Sequence, residues 1–140
     1  MKDDGTKLNQ YIRKAALVAV LLCAFGGPLI AQEAVVEPLM KKELANVPGK
    51  EALMITVEYP PGSSDRVHRH NAHAFVYVLE GSVVMQVRGG KPVTLTAGQT
   101  FYEGPNDVHV VGRNASSTKP AKFLVVLLKD KGTPVVVPAR

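Results

Sequence analysis

The sequence predicts an all-β domain over residues 32–140, folded as a sandwich or closed barrel. Three observations predict it. Short runs rich in Val, Leu and Thr recur at even spacing through the second half of the chain. Gly and Pro clusters punctuate those runs as turns. No segment after residue 31 places its apolar residues at helical period. A β-domain of roughly 100 residues buries enough surface to fold without disulfides.

The first element reads as an address. Lys2, Lys7, Arg13 and Lys14 precede an apolar run from Ala15 to Phe25, and Gly26-Gly27-Pro28 breaks it. Leu29-Ile30-Ala31 follows, with small Ala31 as the cleavage position. This order of positive, apolar and small residues is that of a secretory signal over residues 1–31. The expectation is a periplasmic or secreted protein. The run is too short and broken for a bilayer span of about 20 residues, so no stable membrane span is expected after cleavage. Of the 17 Lys+Arg and 12 Asp+Glu, four and two lie in this segment, leaving 13 and 10 and a charge of +3. Those residues are scattered. Without a basic stripe or nucleic-acid motif, no nucleic acid is expected as partner. The single cysteine, Cys23, also lies in the segment. Residues 32–140 therefore have no disulfide, thiolate ligand or cysteine nucleophile.

Gln32 to Pro38 reads as an arm, and Leu39 to Leu44 as an edge strand. Ala52 to Tyr59 is a strand, and Pro60-Pro61-Gly62-Ser63-Ser64 turns it. Val67 to His70 is short and extended. Ala74 to Leu79 is a strand with two apolar faces, turned by Glu80-Gly81. Ser82 to Arg88 follows, with Gly89-Gly90 as a hairpin turn. Val93 to Leu95, Thr100 to Tyr102 and Val108 to Val111 are further short strands. Ala115 to Pro120 is a polar loop. Phe123 to Leu128 is an uninterrupted apolar run, as for a strand buried on both faces. Val135 to Val137 is a last strand.

The chemistry starts at His68-Arg69-His70. Histidines two apart on a strand face the same way, so their rings can converge on one ion. Neutral imidazole suits Zn, Fe, Cu and Ni.

Around these residues the chain resembles the cupin superfamily. The family's first motif, G-x5-H-x-H-x3,4-E-x6-G, finds Gly62, His68, His70 and Gly81 at matching spacings. Its second, G-x5-P-x-G-x2-H-x3-N, finds Gly98 and His109. The resemblance covers about residues 53–128. It implies a double-stranded β-helix, or jelly-roll, barrel with a metal held by His68, His70 and His109. It implies a divalent transition metal without choosing among Fe, Mn, Ni, Cu and Zn.

The departures are specific. The motif's glutamate falls on Ala74, so the usual fourth ligand is missing. Gly104, Asn106 and Arg113 stand where the second motif has Pro, Gly and Asn, while Pro105 and Asn114 come one residue late. His73 would become a ligand only if a bulge re-aimed it, because alternation turns it away from its neighbours. Glu103 is expected near the site, as a partner that orients His109 or as an ordinary salt bridge. Gln86 and Arg88 share a strand face that could meet an anionic substrate. Tyr77 is a further pocket candidate, though packing is its commoner use.

Two function classes follow. One is a metal-dependent oxygenase, lyase or isomerase acting on a small molecule in the barrel. The other is a module that binds or senses a metal or small ligand without chemistry. The apolar faces of Ala74 to Leu79 also predict a second layer outside the barrel, as in a homodimer.

Overall fold

The computed structural model describes residues 32–139. The expected export signal, with Cys23, lies outside the described residues. Ten strands follow in order: β1 Val35–Glu43, β2 Lys50–Tyr59, β3 His68–Arg69, β4 Ala72–Glu80, β5 Ser82–Val87, β6 Val93–Thr96, β7 Thr100–Glu103, β8 His109–Asn114, β9 Ala121–Asp130 and β10 Val137–Pro138. They form two antiparallel five-stranded sheets, ordered β1-β2-β9-β4-β7 and β10-β3-β8-β5-β6. Among the described residues no helix is long and apolar enough to cross a membrane.

Period-two patterning builds the core. Along β4, Ala72, Ala74, Val76 and Val78 are buried, while His73, Phe75, Tyr77 and Leu79 face outward. Along β9, Ala121, Phe123, Val125, Leu127 and Lys129 are buried. Ile55, Val57 and Tyr59 of β2 join them, and Val83, Met85 and Leu95 close the core from the second sheet. Burying one such side chain stabilises the fold by about 1.5–3 kcal/mol.

Two expectations need correction. Residues 35–38, read as part of an arm, are strand: β1 pairs with β2 from Val35↔Glu58 to Glu43↔Glu51. The pairing gives β1 its backbone partners, although its side chains stay exposed. The apolar run of β9 is fully buried on one face only; Leu124, Val126 and Leu128 are half-buried on the other.

Turn chemistry sets the registers. Ser63 N–H donates to Pro60 O at 3.1 Å. Pro61 and Gly62 occupy the centre of this turn, and Gly62 has φ of 71°, as a type II turn requires. Gly81 also has a positive φ, and a Cβ there would meet Pro120 O at 2.5 Å. Only glycine fits that close approach. Asn114 is buried; its Nδ2 donates to Tyr59 O, Pro60 O and Lys119 O, and its Oδ1 accepts from Ser116 N–H. It ties the ends of β2 and β8 to the 115–120 loop. Arg113, on the asparagine position by strict spacing, is exposed.

Candidate functional site

The site is assembled by strand register. β3 and β8 meet at one pair, His68↔His109, and residues directly opposite in a ladder share a face. His70 follows two residues after His68, just past the end of β3. Asn71 then takes a left-handed conformation, φ 47°, which Asn tolerates and which turns the chain into β4. The three histidines offer ligand atoms that all lie within 4.8 Å of one another.

Hydrogen bonds fix the rings. His68 Nδ1 lies 2.7 Å from Arg66 O, His70 Nδ1 lies 2.7 Å from Val135 O, and His109 Nε2 lies 2.5 Å from Val111 O. A carbonyl only accepts, so each of these nitrogens donates. In the neutral rings the remaining nitrogens are bare lone pairs: Nε2 of His68, Nε2 of His70 and Nδ1 of His109. Those of His68 and His70 are 3.2 Å apart. Two lone pairs at that distance repel unless a proton or a metal ion joins them. Donation of the other ring N–H to a backbone carbonyl is a usual arrangement of metal-ligating histidines.

Glu103 completes the cluster. Its Oε1 is 2.9 Å from His109 Nδ1, and its Oε2 is 3.8 Å from His70 Nε2. Glu103 Oε2 and His109 Nδ1 are buried without a hydrogen-bond partner among the described residues. Burial disfavours charge on His70 and lowers its pKa below the usual imidazole value. Burial also opposes charge on His109 and Glu103, but their mutual attraction outweighs it. The His109 pKa is raised and that of Glu103 is lowered. With no cation present, His109 Nδ1 and Glu103 Oε1 can share a proton across 2.9 Å; a metal cation bound by the same atoms would take that proton's place, and Glu103 Oε2, buried without a partner, fits such a charge.

The cluster opens into a cavity of about 570 Å³, within the range of small-molecule pockets, about 300–1,000 Å³. Ile55, Val57, Val76 and Phe123 give it apolar walls. Tyr59, Asp65 and Arg66 add polar groups. The Tyr59 hydroxyl donates to Asp65 Oδ2. Burial, and then the Asp65 charge, push the Tyr59 pKa far up, so the phenol stays protonated. A Cβ on Gly112 would lie 2.9 Å from both His109 Nε2 and the Tyr59 hydroxyl. The bare glycine therefore lets the tyrosine sit beside the histidine cluster.

The cavity gathers His68, His70, His109 and Glu103. It does not gather His73, Tyr77, Gln86 or Arg88. His73 lies on the outer face of β4, where its Nδ1 is 2.7 Å from the Tyr102 hydroxyl. The β4 irregularity falls between Val78 and Glu80, remote from His73, so no bulge re-aims the ring. Tyr77 shares that outer face. Gln86 points away from the core residue Met85 and donates to Gly90 O. Arg88 is exposed where the hairpin turns. Sequence reasoning passed over Asp65 and read Tyr59 as the end of a strand. The signal that could have found them is their position flanking the Pro-Pro-Gly turn that leads to His68.

The Cupin domain family profile (Cupin_2) matches residues 55–127. Among solved structures, a protein with a double-stranded β-helix domain from Klebsiella pneumoniae aligns at 17% identity, covering 76% of this chain and 86% of its own, with a TM-score of 0.60. TT1209 from Thermus thermophilus aligns at 26% identity over 69% of this chain and 84% of its own, TM-score 0.56. The DMSP lyase DddQ from Ruegeria pomeroyi aligns at 23% identity over 61% of this chain, TM-score 0.55, and this chain spans 42% of that lyase. Comparison with curated proteins finds no match. The profile covers more than half of the sequence, including strands β3 to β8 and the three histidines, and the chain belongs to the cupin family.

Proposed function

We propose that this cupin is an exported, metal-dependent enzyme that transforms a small molecule in its barrel cavity. The observation that carries the reading is the set of three histidines, each committed to a backbone carbonyl through one nitrogen and turned inward with the other. A bound divalent metal would supply Lewis-acid polarisation or, if redox-active, O2 chemistry. The ligands would be His68, His70 and His109.

The chain's own residues favour acid–base chemistry beside that metal. Tyr59 is a protonated phenol facing the cavity, and Asp65 holds its hydroxyl by a hydrogen bond. The phenol proton is held by Asp65, so the pair offers a bound molecule the hydroxyl oxygen as hydrogen-bond acceptor and the Asp65 carboxylate as proton acceptor. The apolar walls exclude water, and Arg66 at the lining offers a charge to an anionic substrate. Elimination, as in a lyase, or isomerisation uses these groups directly; oxygenation would rest on the metal. The experiment is a turnover screen of the metal-loaded protein against small anionic substrates, with product analysis and oxygen uptake read together. Product formation lost in Tyr59→Phe supports acid–base work. Oxygen uptake indifferent to Tyr59→Phe points to oxygenation. Tight binding of metal or ligand with no turnover supports the second reading, a non-catalytic binding or sensing cupin.

The same reading includes a homodimer. Met54, Val126, Phe75 and Tyr102 stand in one register across β2, β9, β4 and β7 on the outer face of the first sheet. Phe75 and Tyr102 are each 48% exposed, an apolar row that a second copy would cover. A Phe75→Asp, Tyr102→Asp variant should run as a monomer in light scattering with its metal content intact. An unchanged oligomeric state would remove this part of the proposal.

A further inference from the structure

We propose that Glu103 is the carboxylate ligand of the metal, delivered from β7 in place of the glutamate that the family motif puts on β4. The inference rests on the metal-site reading above and deepens it. Its basis is register. Ala74, which occupies the motif's glutamate position, is the direct cross-strand partner of Glu103. Opposed residues in an antiparallel pair share a face, with Cβ atoms about 4.5–5.5 Å apart. A carboxylate leaving either backbone position can thus enter the same space. Ala74 is fully buried and lines the cavity, so its small side chain leaves room for the Glu103 carboxylate to lie between His109 and His70.

An orienting role alone does not account for the geometry. Such a role would use Oε1, which faces His109 Nδ1 at 2.9 Å. It leaves Oε2 buried and unpartnered, 3.8 Å from His70 Nε2. A buried carboxylate oxygen without a partner is costly. One cation among the three bare imidazole nitrogens would satisfy it together with them. The carboxylate that the motif places on β4 then comes from the position directly opposite on β7.

The test uses Mn(II) and Cu(II) as probes, with affinities read by competition against a chelator. The proteins are wild type, Glu103→Gln, Glu103→Ala and the exchange variant Ala74→Glu/Glu103→Ala, with circular dichroism as the folding control. Carboxylate suits Mn(II), whereas imidazole already suits Cu(II). Both single variants should lose about 100-fold or more in Mn(II) affinity, beyond the roughly 10–100-fold cost of losing an orienting partner. They should lose much less for Cu(II). The exchange variant should return to within about tenfold of wild type for Mn(II). If wild type binds Mn(II) and Glu103→Gln or Glu103→Ala binds it equally well, this assignment alone is wrong. An equal loss for both metals, with no recovery in a folded exchange variant, also overturns it in favour of orientation. If wild type binds neither metal, the metal-site reading itself falls, and the assignment with it.

Discussion

Glu51 and Glu103 are both buried carboxylates, and they are balanced in opposite ways. Glu51 meets its counter-charge inside the chain. Lys129, its cross-strand partner on β9, reaches its Oε1 at 2.5 Å, and Lys41 lies 3.2 Å from its Oε2. The Lys129 ammonium also donates to Thr133 O at 2.6 Å, so the pair fastens the turn after β9. Glu103 meets histidines whose other nitrogens are already spent on carbonyls. The Oε2 of each glutamate lacks a hydrogen bond, but that of Glu51 has the permanent charge of Lys41 at 3.2 Å, whereas that of Glu103 faces only an imidazole nitrogen at 3.8 Å. A buried charge is tolerated only when paired and hydrogen-bonded. The first region is a closed structural device. The second has the composition of a site that needs a cation.

The comparison can be broken at either end. The largest effect on the fold should come from Lys129→Met, which leaves Glu51 buried without its main partner. Its urea midpoint should fall more than that of any other single variant described here, with metal content per folded chain unchanged. Loss of metal with intact stability would reverse the two roles. Next comes Asn114→Ala, which orphans the carbonyls of Tyr59, Pro60 and Lys119 and should cost about 2–3 kcal/mol in denaturant unfolding. An effect below about 0.5 kcal/mol, the level of an ordinary surface change, would mean that the 115–120 loop is not held by this residue.

A smaller effect is expected from pH. Lys129 holds the Glu51 pKa below its usual value against the effect of burial. The folded protein therefore binds this proton less readily than the unfolded chain. The stabilisation is complete above the unfolded value, about 4.3, and is lost as pH falls through the lower folded value. The urea midpoint of wild type should decline with acid below that point, and Glu51→Gln should decline less steeply. Identical slopes would show that Glu51 carries no such linkage. The smallest effect belongs to His73→Ala. On the outer face its loss should leave metal affinity unchanged and stability within about 0.5 kcal/mol. A loss of metal would mean that His73 reaches the cavity after all.

Much of the fold was legible because β-structure writes its period into the sequence. The alternation in Ala72–Glu80 and the turn residues at 60–64, 80–81 and 89–90 locate strands and hairpins directly. β1 was half-read because an edge strand with exposed side chains carries no burial pattern. The histidines were legible in part, since two residues two apart on a strand must share a face. What stayed hidden depends on register and long-range contact. Nothing local in the sequence says that Glu103 stands opposite Ala74, or that Val135 O, 65 residues on, fixes His70. The late asparagine belongs here too. The irregularity between Gln86 and Val87, opposite β8, accompanies the one-residue offset that buries Asn114 and exposes Arg113.

The most direct test of the central claim is the metal content of the purified protein, measured by elemental analysis beside the His68→Ala/His70→Ala/His109→Ala variant. The account predicts about one divalent transition metal per chain in the native protein and none in the folded variant. A native protein that holds no metal even after reconstitution, or a variant that keeps it, would contradict the account.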